Sequence, residues 1–125
     1  MRTILVLLLL AAPASADVSV ADNQQTVTVD CAKDPNVEVS GNEATVTLTG
    51  NCEAVILSGN KAKVTGSTKS ILVSGNDNTA NLESVDKIGT PGNNNRVTYK
   101  TTIDTKLKKA KISNPGNKNV VAKRK

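Results

Sequence analysis

The chain of 125 residues contains no histidine, no phenylalanine and no tryptophan, and Tyr99 is its single tyrosine. The lack of histidine excludes Ser-His-Asp and Cys-His nucleophiles and every histidine-ligated metal site. The lack of aromatic bulk disfavours a helical bundle or an ordinary sandwich, whose cores need larger side chains. The apolar residues are mainly Val, Ala, Leu and Ile, accompanied by many Thr and Asn, so the composition favours β-strands joined by Asn- and Gly-containing turns.

Long apolar runs are also absent, except at the N-terminus. There Arg2 precedes an apolar stretch from Ile4 to Ala12, and Ala14 and Ala16 form an A-x-A cleavage site. This arrangement is typical of a secretory signal peptide, and the stretch is too short to span a bilayer. We therefore predict cleavage after Ala16 and export to the periplasm or the extracellular space.

Cysteine is scarce, with Cys31 and Cys52 as the only two. In an exported chain an even number of cysteines predicts one disulfide. A metal-binding pair is disfavoured because there is no histidine and no further cysteine to complete a ligand set. We predict a Cys31–Cys52 disulfide, no metal site and no cofactor.

One short pattern recurs through the chain: VEVSGNEATVT, VILSGNKAKVT, ILVSGNDNTAN and IGTPGNNNRVT. Each copy turns on a Gly-Asn pair, and the glycines are separated by 18, 16, 17 and 24 residues. An aliphatic residue stands four positions before and five positions after each glycine. The Gly-Asn pairs are Gly41 and Asn42, Gly59 and Asn60, Gly75 and Asn76, Gly92 and Asn93, and Gly116 and Asn117.

Repeats of this length predict an all-β fold, a short single-domain β-solenoid (β-helix) of about five coils with Gly-Asn corners. A meander of hairpins is the alternative, but it gives no reason for the matching columns. The glycine and asparagine of each corner are expected to take positive φ values, and stacked asparagines are expected to form amide ladders. The aliphatic columns fill a narrow core without aromatics. The side chains predicted to face inward in the first copy are Val37, Val39, Ala44, Val46 and Leu48.

The chain divides into a signal peptide at 1–16, a solenoid body with an N-terminal cap at 17–100, and a basic end at 101–125 that comprises a basic insertion, a last partial coil and a tail. Residues 17–99 hold six Lys/Arg against ten Asp/Glu, whereas residues 100–125 hold nine against one. The basic end could dock on an anionic polymer of the cell envelope or on a surface protein. The alternative is that its lysines only cover a sheet edge and keep the chain soluble. The candidate binding lysines are Lys106, Lys108, Lys109 and Lys111.

Taken together, the segments VTVDC, VEVSGN, VTLTGNC, VILSGN, ILVSGNDN and GNNNRVTYK resemble an uncharacterised bacterial family of small exported proteins, domain-of-unknown-function family 3060. The resemblance runs from about Val27 to Lys100 and includes both cysteines. It implies a secreted or periplasmic domain of repeated β-strands. It carries no activity and no site residues that can be transferred to this chain.

No enzymatic site is predicted. The acidic residues stand singly at outward positions, so a polysaccharide-active enzyme with paired carboxylates is the weakest alternative. We expect a non-catalytic structural or binding module of the cell envelope. A self-assembling surface fibre, built by solenoid ends that stack between molecules, is the alternative from another class. If the module binds a partner, we expect the contact either at the basic end or on the outward strand faces around Glu38, Thr45, Thr47, Lys63 and Arg96.

Overall fold

The computed structural model describes residues 17–124, and every regular element within them is a β-strand. The predicted signal peptide and its cleavage residues Ala14 and Ala16 lie outside the described residues. In the described part of the chain no helix is long and apolar enough to cross a membrane. The strands are β1 (Asp17–Val20), β2 (Thr26–Asp30), β3 (Asn36–Val39), β4 (Thr45–Leu57), β5 (Lys63–Val73), β6 (Thr79–Gly89), β7 (Arg96–Thr101), β8 (Lys111–Ser113) and β9 (Val120–Lys123).

All pairings are parallel and join each segment to the matching segment of the next repeat. One rung consists of a first segment, a Gly-Asn corner and a second segment. The first segments stack in the order β1, β3, then the C-terminal parts of β4, β5 and β6, then β8. The second segments stack as β2, the N-terminal parts of β4, β5 and β6, then β7 and β9. These six rungs, related by five steps, form a β-solenoid of about five turns, which confirms the predicted fold class.

The register places the predicted aliphatic columns directly over one another. In the first segments the partners are Val37, Val55, Ile71, Ile88 and Ile112. In the second segments they are Val46, Val64, Ala80, Val97 and Val121. The inward residues predicted for the first copy are all buried. The alternation of the sequence thus fixes which face of each strand packs inside.

The core differs from the expectation in one place, because Tyr99 is fully buried within it. Tyr99 pairs with Leu82 of the rung before, and its hydroxyl accepts the backbone N–H of Ala110 at 3.1 Å. Directly after β7 the chain departs from the repeat, and the Tyr99 hydroxyl reaches Ala110 at the end of the segment that follows. The prediction of a core without aromatics was therefore wrong at this position.

The corners also correct the sequence prediction. Neither the glycine nor the asparagine of a corner has a positive φ; the residue after the asparagine does. These left-handed residues are Gln24, Glu43, Lys61, Asp77, Asn94 and Lys118, with φ between 57° and 60°. The left-handed turn directs their backbone N–H to the corner asparagine carbonyl of the next rung, as for Glu43 on Asn60 (2.8 Å).

The corner glycines are required by close approach instead. A Cβ added to Gly59 would overlap the carbonyl oxygen of Gly41 in the rung before. The same overlap occurs between Gly75 and Gly59 and between Gly92 and Gly75. Successive corners lie too close together for any side chain at this position.

The corner asparagines stack as predicted, but most of the bonds between them run from a side chain to the backbone and not from amide to amide, and the Asn93 N–H bonds the Gly75 carbonyl instead. The Oδ1 atom of Asn42 accepts the backbone N–H of Asn60 at 3.0 Å, and that of Asn60 accepts the N–H of Asn76 at 3.1 Å. Asn23 and Asn42 form the same contact at the first corner. Among the described residues of this ladder, one amide–amide bond is present, from Asn60 to Asn42 at 3.2 Å.

A second, buried asparagine ladder was not predicted. Asn95 accepts the N–H of Asn78 at its Oδ1 (2.9 Å) and donates from its Nδ2 to the carbonyl of Gly75 (2.9 Å). Its amide therefore bonds both ends of the corner in the rung before. Asn78 and Asn119 make the equivalent pair of bonds one rung earlier and one rung later. The bonds made by Asn78 and Asn95 are buried and those of Asn119 are part-buried, and each satisfies a main-chain group of the corner before it.

The first two rungs are also joined covalently. Cys31, after β2, and Cys52, within β4, are bonded as a disulfide with a Cα–Cα distance of 4.9 Å. Both side chains are buried. Below them, Thr68 and Val85 continue the same inward column. The disulfide therefore replaces one of the packing contacts between adjacent rungs and links the N-terminal rung covalently to the second.

Candidate functional site

The outer face of the second segments gathers four of the predicted binding residues. Thr45, Lys63 and Arg96 occupy one column, together with Thr79, and Thr47 stands in the neighbouring column. Thr45, Thr47, Lys63 and Arg96 are all exposed. The two cationic side chains are separated by a threonine rung, so this face offers spaced positive charges on a hydroxyl-rich surface.

Glu38 lies elsewhere, on the outer face of the first segments. Its column continues with Ile56, Leu72 and Gly89, and the two aliphatic side chains are 38% and 42% exposed. A shallow depression of about 230 Å³ is lined by Ser19, Glu38 and Ile56, among others. The structure therefore does not bring Glu38 together with Thr45, Lys63 and Arg96.

The basic segment between β7 and β8 is a folded loop at the C-terminal end of the solenoid. A carboxylate oxygen of Asp86 accepts the backbone N–H groups of Ile103 (2.7 Å) and Asp104 (3.0 Å). Ala110 is buried and bonded to the Tyr99 hydroxyl. With both of its ends fixed in this way, the loop holds Lys106, Lys108 and Lys109 outward. Lys111 is exposed in β8, where it pairs with Lys87.

The cationic side chains of Lys123 and Arg124 cover the core next to Tyr99, in the column of inward residues that Tyr99 shares with Leu82. The Nζ of Lys123 donates to the Lys108 carbonyl at 3.2 Å, and the Nη2 of Arg124 donates to the Leu82 carbonyl at 2.6 Å. Lys123 stands in the inward column of Tyr99 and Leu82. The chain end therefore caps this part of the solenoid together with the basic loop, through Lys123 and Arg124 and not through the candidate binding lysines.

The acidic groups do not converge in the described part of the chain. No cluster of three or more Asp, Glu or Cys residues able to hold a metal ion occurs within residues 17–124. Glu53 forms an ion pair with Lys69 at 3.1 Å, and Glu43 accepts a hydrogen bond from Gln24 at 3.2 Å. Lys61 lies in the same corner column as Glu43 and Asp77. These contacts are those of surface charges.

Two features of the structure, one exposed and one buried, escaped the sequence reasoning. Ile112 and Val120 in the last rung are 47% and 45% exposed, although aliphatic residues of this kind are buried in the inner rungs. The buried asparagine ladder had a signal in the column three residues after each glycine, where Ala44 and Ala62 give way to asparagine. That change from a small apolar residue to an amide on an inward column marks a buried polar network.

Comparison with known proteins adds one finding. The profile of a family described as "Protein of unknown function (DUF3060)" matches residues 39–79 and again residues 58–118. The two matches overlap because the rungs repeat, and together they span more than half of the chain. No curated protein and no solved structure shows significant similarity. The chain belongs to the DUF3060 family.

Proposed function

We propose that the chain is an exported, non-catalytic structural and binding module of the cell envelope that contacts an anionic polymer through its basic end. One observation carries this proposal: charge is separated along the stack. Residues 17–99 hold ten Asp/Glu against six Lys/Arg, and residues 100–125 hold one against nine. Because the rungs stack in chain order, the asymmetry in sequence becomes an acidic body with a basic end.

The lysines of the basic end are available to a partner. Lys106, Lys108, Lys109 and Lys111 are exposed. Within the described residues the one ion pair joins Lys69 to Glu53 in the body, so no carboxylate neutralises these four lysines. The fixed loop and strand β8 hold them at one end of the molecule, where they act together on a polymer of negative charge. Attraction of this kind needs no shaped pocket, and it weakens as salt rises.

The binding test compares two sets of lysines. Lys106, Lys108 and Lys109 are changed together to Gln, and the control changes Lys33, Lys61 and Lys69 to Gln, which removes the same charge from exposed positions in the body. Isolated envelope fractions are then used to pull down each protein at increasing salt. We expect the first variant to lose most of its binding and its salt dependence, and the control to stay close to the parent. Equal losses in both variants would contradict the proposal.

Export and the absence of catalysis are tested on the same protein. Cells that express the full chain are fractionated, and mass spectrometry identifies the first residue of the recovered protein. We expect a chain that starts at Asp17 outside the cytoplasm, whereas an intact N-terminus in the cytoplasm would oppose export. Incubation with envelope polysaccharide should release no new reducing ends; their release would revive the enzyme alternative.

A further inference from the structure

We infer that two copies of this chain dimerise face to face through the outer side of the first segments, with their solenoid axes antiparallel. This surface, the first-segment face, consists of two outward columns. One column holds Ser19, Glu38, Ile56, Leu72, Gly89 and Ser113, and the other holds Asn36, Ala54, Ser70, Lys87 and Lys111. All of these residues are exposed or half-buried, so nothing within residues 17–124 covers this side of the sheet.

The centre of the first-segment face is apolar. Ile56 and Leu72 pair in adjacent rungs and are 38% and 42% exposed. The outward columns of the second segments carry Thr, Lys, Asn and Arg in the inner rungs instead. Among the described residues the other exposed large aliphatic side chains, Ile112 and Val120, lie in the last rung. The central pair of the first-segment face therefore gains from burial against a second surface.

Charge is distributed unequally on either side of this centre. Glu38 lies one rung before Ile56, whereas Lys87 lies one rung after Leu72. Within the described residues the one ion pair joins Lys69 to Glu53, so neither Glu38 nor Lys87 has a charged partner there. Three rungs separate the two, about 14 Å at about 4.8 Å per rung, which is too far for contact inside one chain. The face is thus acidic at one end and basic at the other, which complements a copy that runs the opposite way.

A two-fold axis perpendicular to the face fits the sizes of the central side chains. Rungs are counted from β1, so Ile56 lies in rung 3 and Leu72 in rung 4. An axis between these rungs and between the two columns places Leu72 of each copy on Ala54 of the other, and Ile56 on Ser70. Each large side chain then meets a small one. Ala54 also lines the shallow depression of about 230 Å³, which gives Leu72 of the second copy a place to insert.

The same axis places Glu38 of each copy on Lys87 of the other. Lys87 and Lys111 are neighbours in one column, and like charges on adjacent strands repel each other. A carboxylate from the second copy offsets that repulsion. A parallel arrangement of the two axes would set Glu38 on Glu38 and Lys87 on Lys87, so charge selects the antiparallel one. The contact is isologous, and the assembly closes at two chains.

The ends of the solenoid are less suited to a second copy. Asp22 occupies the corner position that glycine holds in later rungs, since its carbonyl lies where a Cβ of Gly41 would be. Stacking end to end would set the Cβ of Asp22 against the Gly116 carbonyl of the next copy, the overlap that the corner glycines avoid. Lys123 and Arg124 also cover part of the last rung. The face-to-face dimer uses neither end.

The size of the face sets the strength of the contact. Six rungs span about 24 Å along the stack, and four residues span about 13 Å along the strands. A contact of this size is at the small end of specific interfaces, so we expect a dimer that dissociates in the micromolar range or above. Sedimentation velocity of the recovered full-chain protein, from micromolar to near-millimolar concentration, should show a monomer–dimer equilibrium.

Charge reversal tests the proposed pairing. Glu38→Lys places a lysine against Lys87 of the second copy, and Lys87→Glu places a glutamate against Glu38. Each variant alone should stay monomeric, with association weakened by at least about tenfold. Glu83→Lys and Lys63→Glu make the same two charge changes at exposed strand positions outside the first-segment face and should dimerise like the parent. Circular dichroism confirms that each variant is folded.

Rescue gives the decisive readout. In an equimolar mixture of Glu38→Lys and Lys87→Glu, both contacts between unlike chains join opposite charges, so the mixture should form a heterodimer. The double variant that carries both reversals should dimerise with itself for the same reason. Because the two positions are three rungs apart in one chain, restored pairing can only join two chains. A variant that merely folds poorly would not be rescued in this way.

The apolar centre is tested separately. Leu72→Ser removes the central contact, and Val120→Ser is the matched control, because Val120 is 45% exposed but lies on the outer face of the second segments. We expect Leu72→Ser to weaken dimerisation by at least about tenfold and Val120→Ser to leave it unchanged.

Four results would overturn the inference: a parent that stays monomeric at near-millimolar concentration, assemblies larger than two chains, single reversals that associate like the parent, or a mixture that forms no heterodimer. The inference does not rest on the proposed polymer binding. The lysine pull-down changes no residue of the first-segment face, so the failure of either test leaves the other unaffected.

Discussion

At the scale of single residues, each corner has two requirements, which fall on two different positions: one residue must lack a Cβ, and another must adopt a left-handed backbone conformation. The glycine is needed because the carbonyl of the corner before lies where its Cβ would be. The left-handed turn falls two residues later, on Glu43, Lys61 or Asp77, for example. A left-handed conformation costs an L-residue about 1 kcal/mol. The bond from its N–H to the next rung offsets part of that cost.

Gly75→Ala should therefore destabilise the fold strongly. Its Cβ would overlap the Gly59 carbonyl oxygen, and two stacked backbones would have to separate. We expect the free energy of unfolding, measured in denaturant, to fall by about 3 kcal/mol or more. Gly89→Ala is the control, because its Cβ would meet only the end of the Leu72 side chain at 3.1 Å. Equal effects of the two substitutions would refute the close-approach explanation.

Lys61→Gly and Lys63→Gly should change the free energy of unfolding in different directions. Lys61 has a φ of 58°, so glycine relieves strain there, whereas at Lys63 glycine only loosens an exposed strand position. We expect the first variant to keep or raise the unfolding free energy and the second to lower it, with a difference of about 1 kcal/mol. Denaturant unfolding of the pair measures this difference. A lower stability for Lys61→Gly than for Lys63→Gly would contradict the assignment of strain.

At the scale of strands, alternation in the sequence predicted correctly which face of each strand is buried. It did not predict how large a side chain each buried position holds. Val37, Val39 and Val46 are inside as expected, because a period of two admits only two faces. The burial of Tyr99 could not be predicted in the same way. Column membership says that a residue points inward, but the space available depends on how the chain leaves the repeat after β7.

Asn95→Ala tests the buried ladder that the sequence reasoning missed. The substitution removes the acceptor of the Asn78 N–H and a donor to the Gly75 carbonyl, both at buried positions. We expect a loss of about 2–3 kcal/mol of unfolding free energy. Asn93→Ala, in the exposed ladder, should cost less than about 1 kcal/mol because water replaces its bond to Asn117. Equal losses of unfolding free energy from the two substitutions would contradict the expectation that the buried ladder stabilises the fold more than the exposed one.

At the scale of the whole molecule, the candidate surface was only partly predictable. Column positions in the repeats place Thr45, Lys63 and Arg96 together, and the same positions would have separated Glu38 from them. The folded loop at the basic end depends on Asp86 and Tyr99, which lie outside the loop itself. A local sequence pattern carries no information on such distant anchors.

Each rung contacts only its neighbours, so the N-terminal rung is stabilised from one side alone. The disulfide from Cys31 to Cys52 closes a loop of 21 residues across that boundary. Its reduction should lower the unfolding free energy by about 3 kcal/mol. Denaturant unfolding with and without reductant measures the change, and hydrogen exchange should show the loss of protection to be greatest in β1 and β2. A uniform loss of protection along the chain would contradict the one-sided support of the first rung.

Distances between spin labels along one outward column test the stacked register most directly. Glu38, Leu72 and Ser113 stand in the same column, with Leu72 two rungs and Ser113 four rungs from Glu38. At about 4.8 Å per rung, labels at Glu38 and Leu72 should lie about 10 Å apart, and labels at Glu38 and Ser113 about 19 Å apart. Electron paramagnetic resonance on the two doubly labelled proteins would show the doubling. Equal distances, or a shorter distance for the pair that is further apart in the stack, would contradict the stacking of like residues on a common axis.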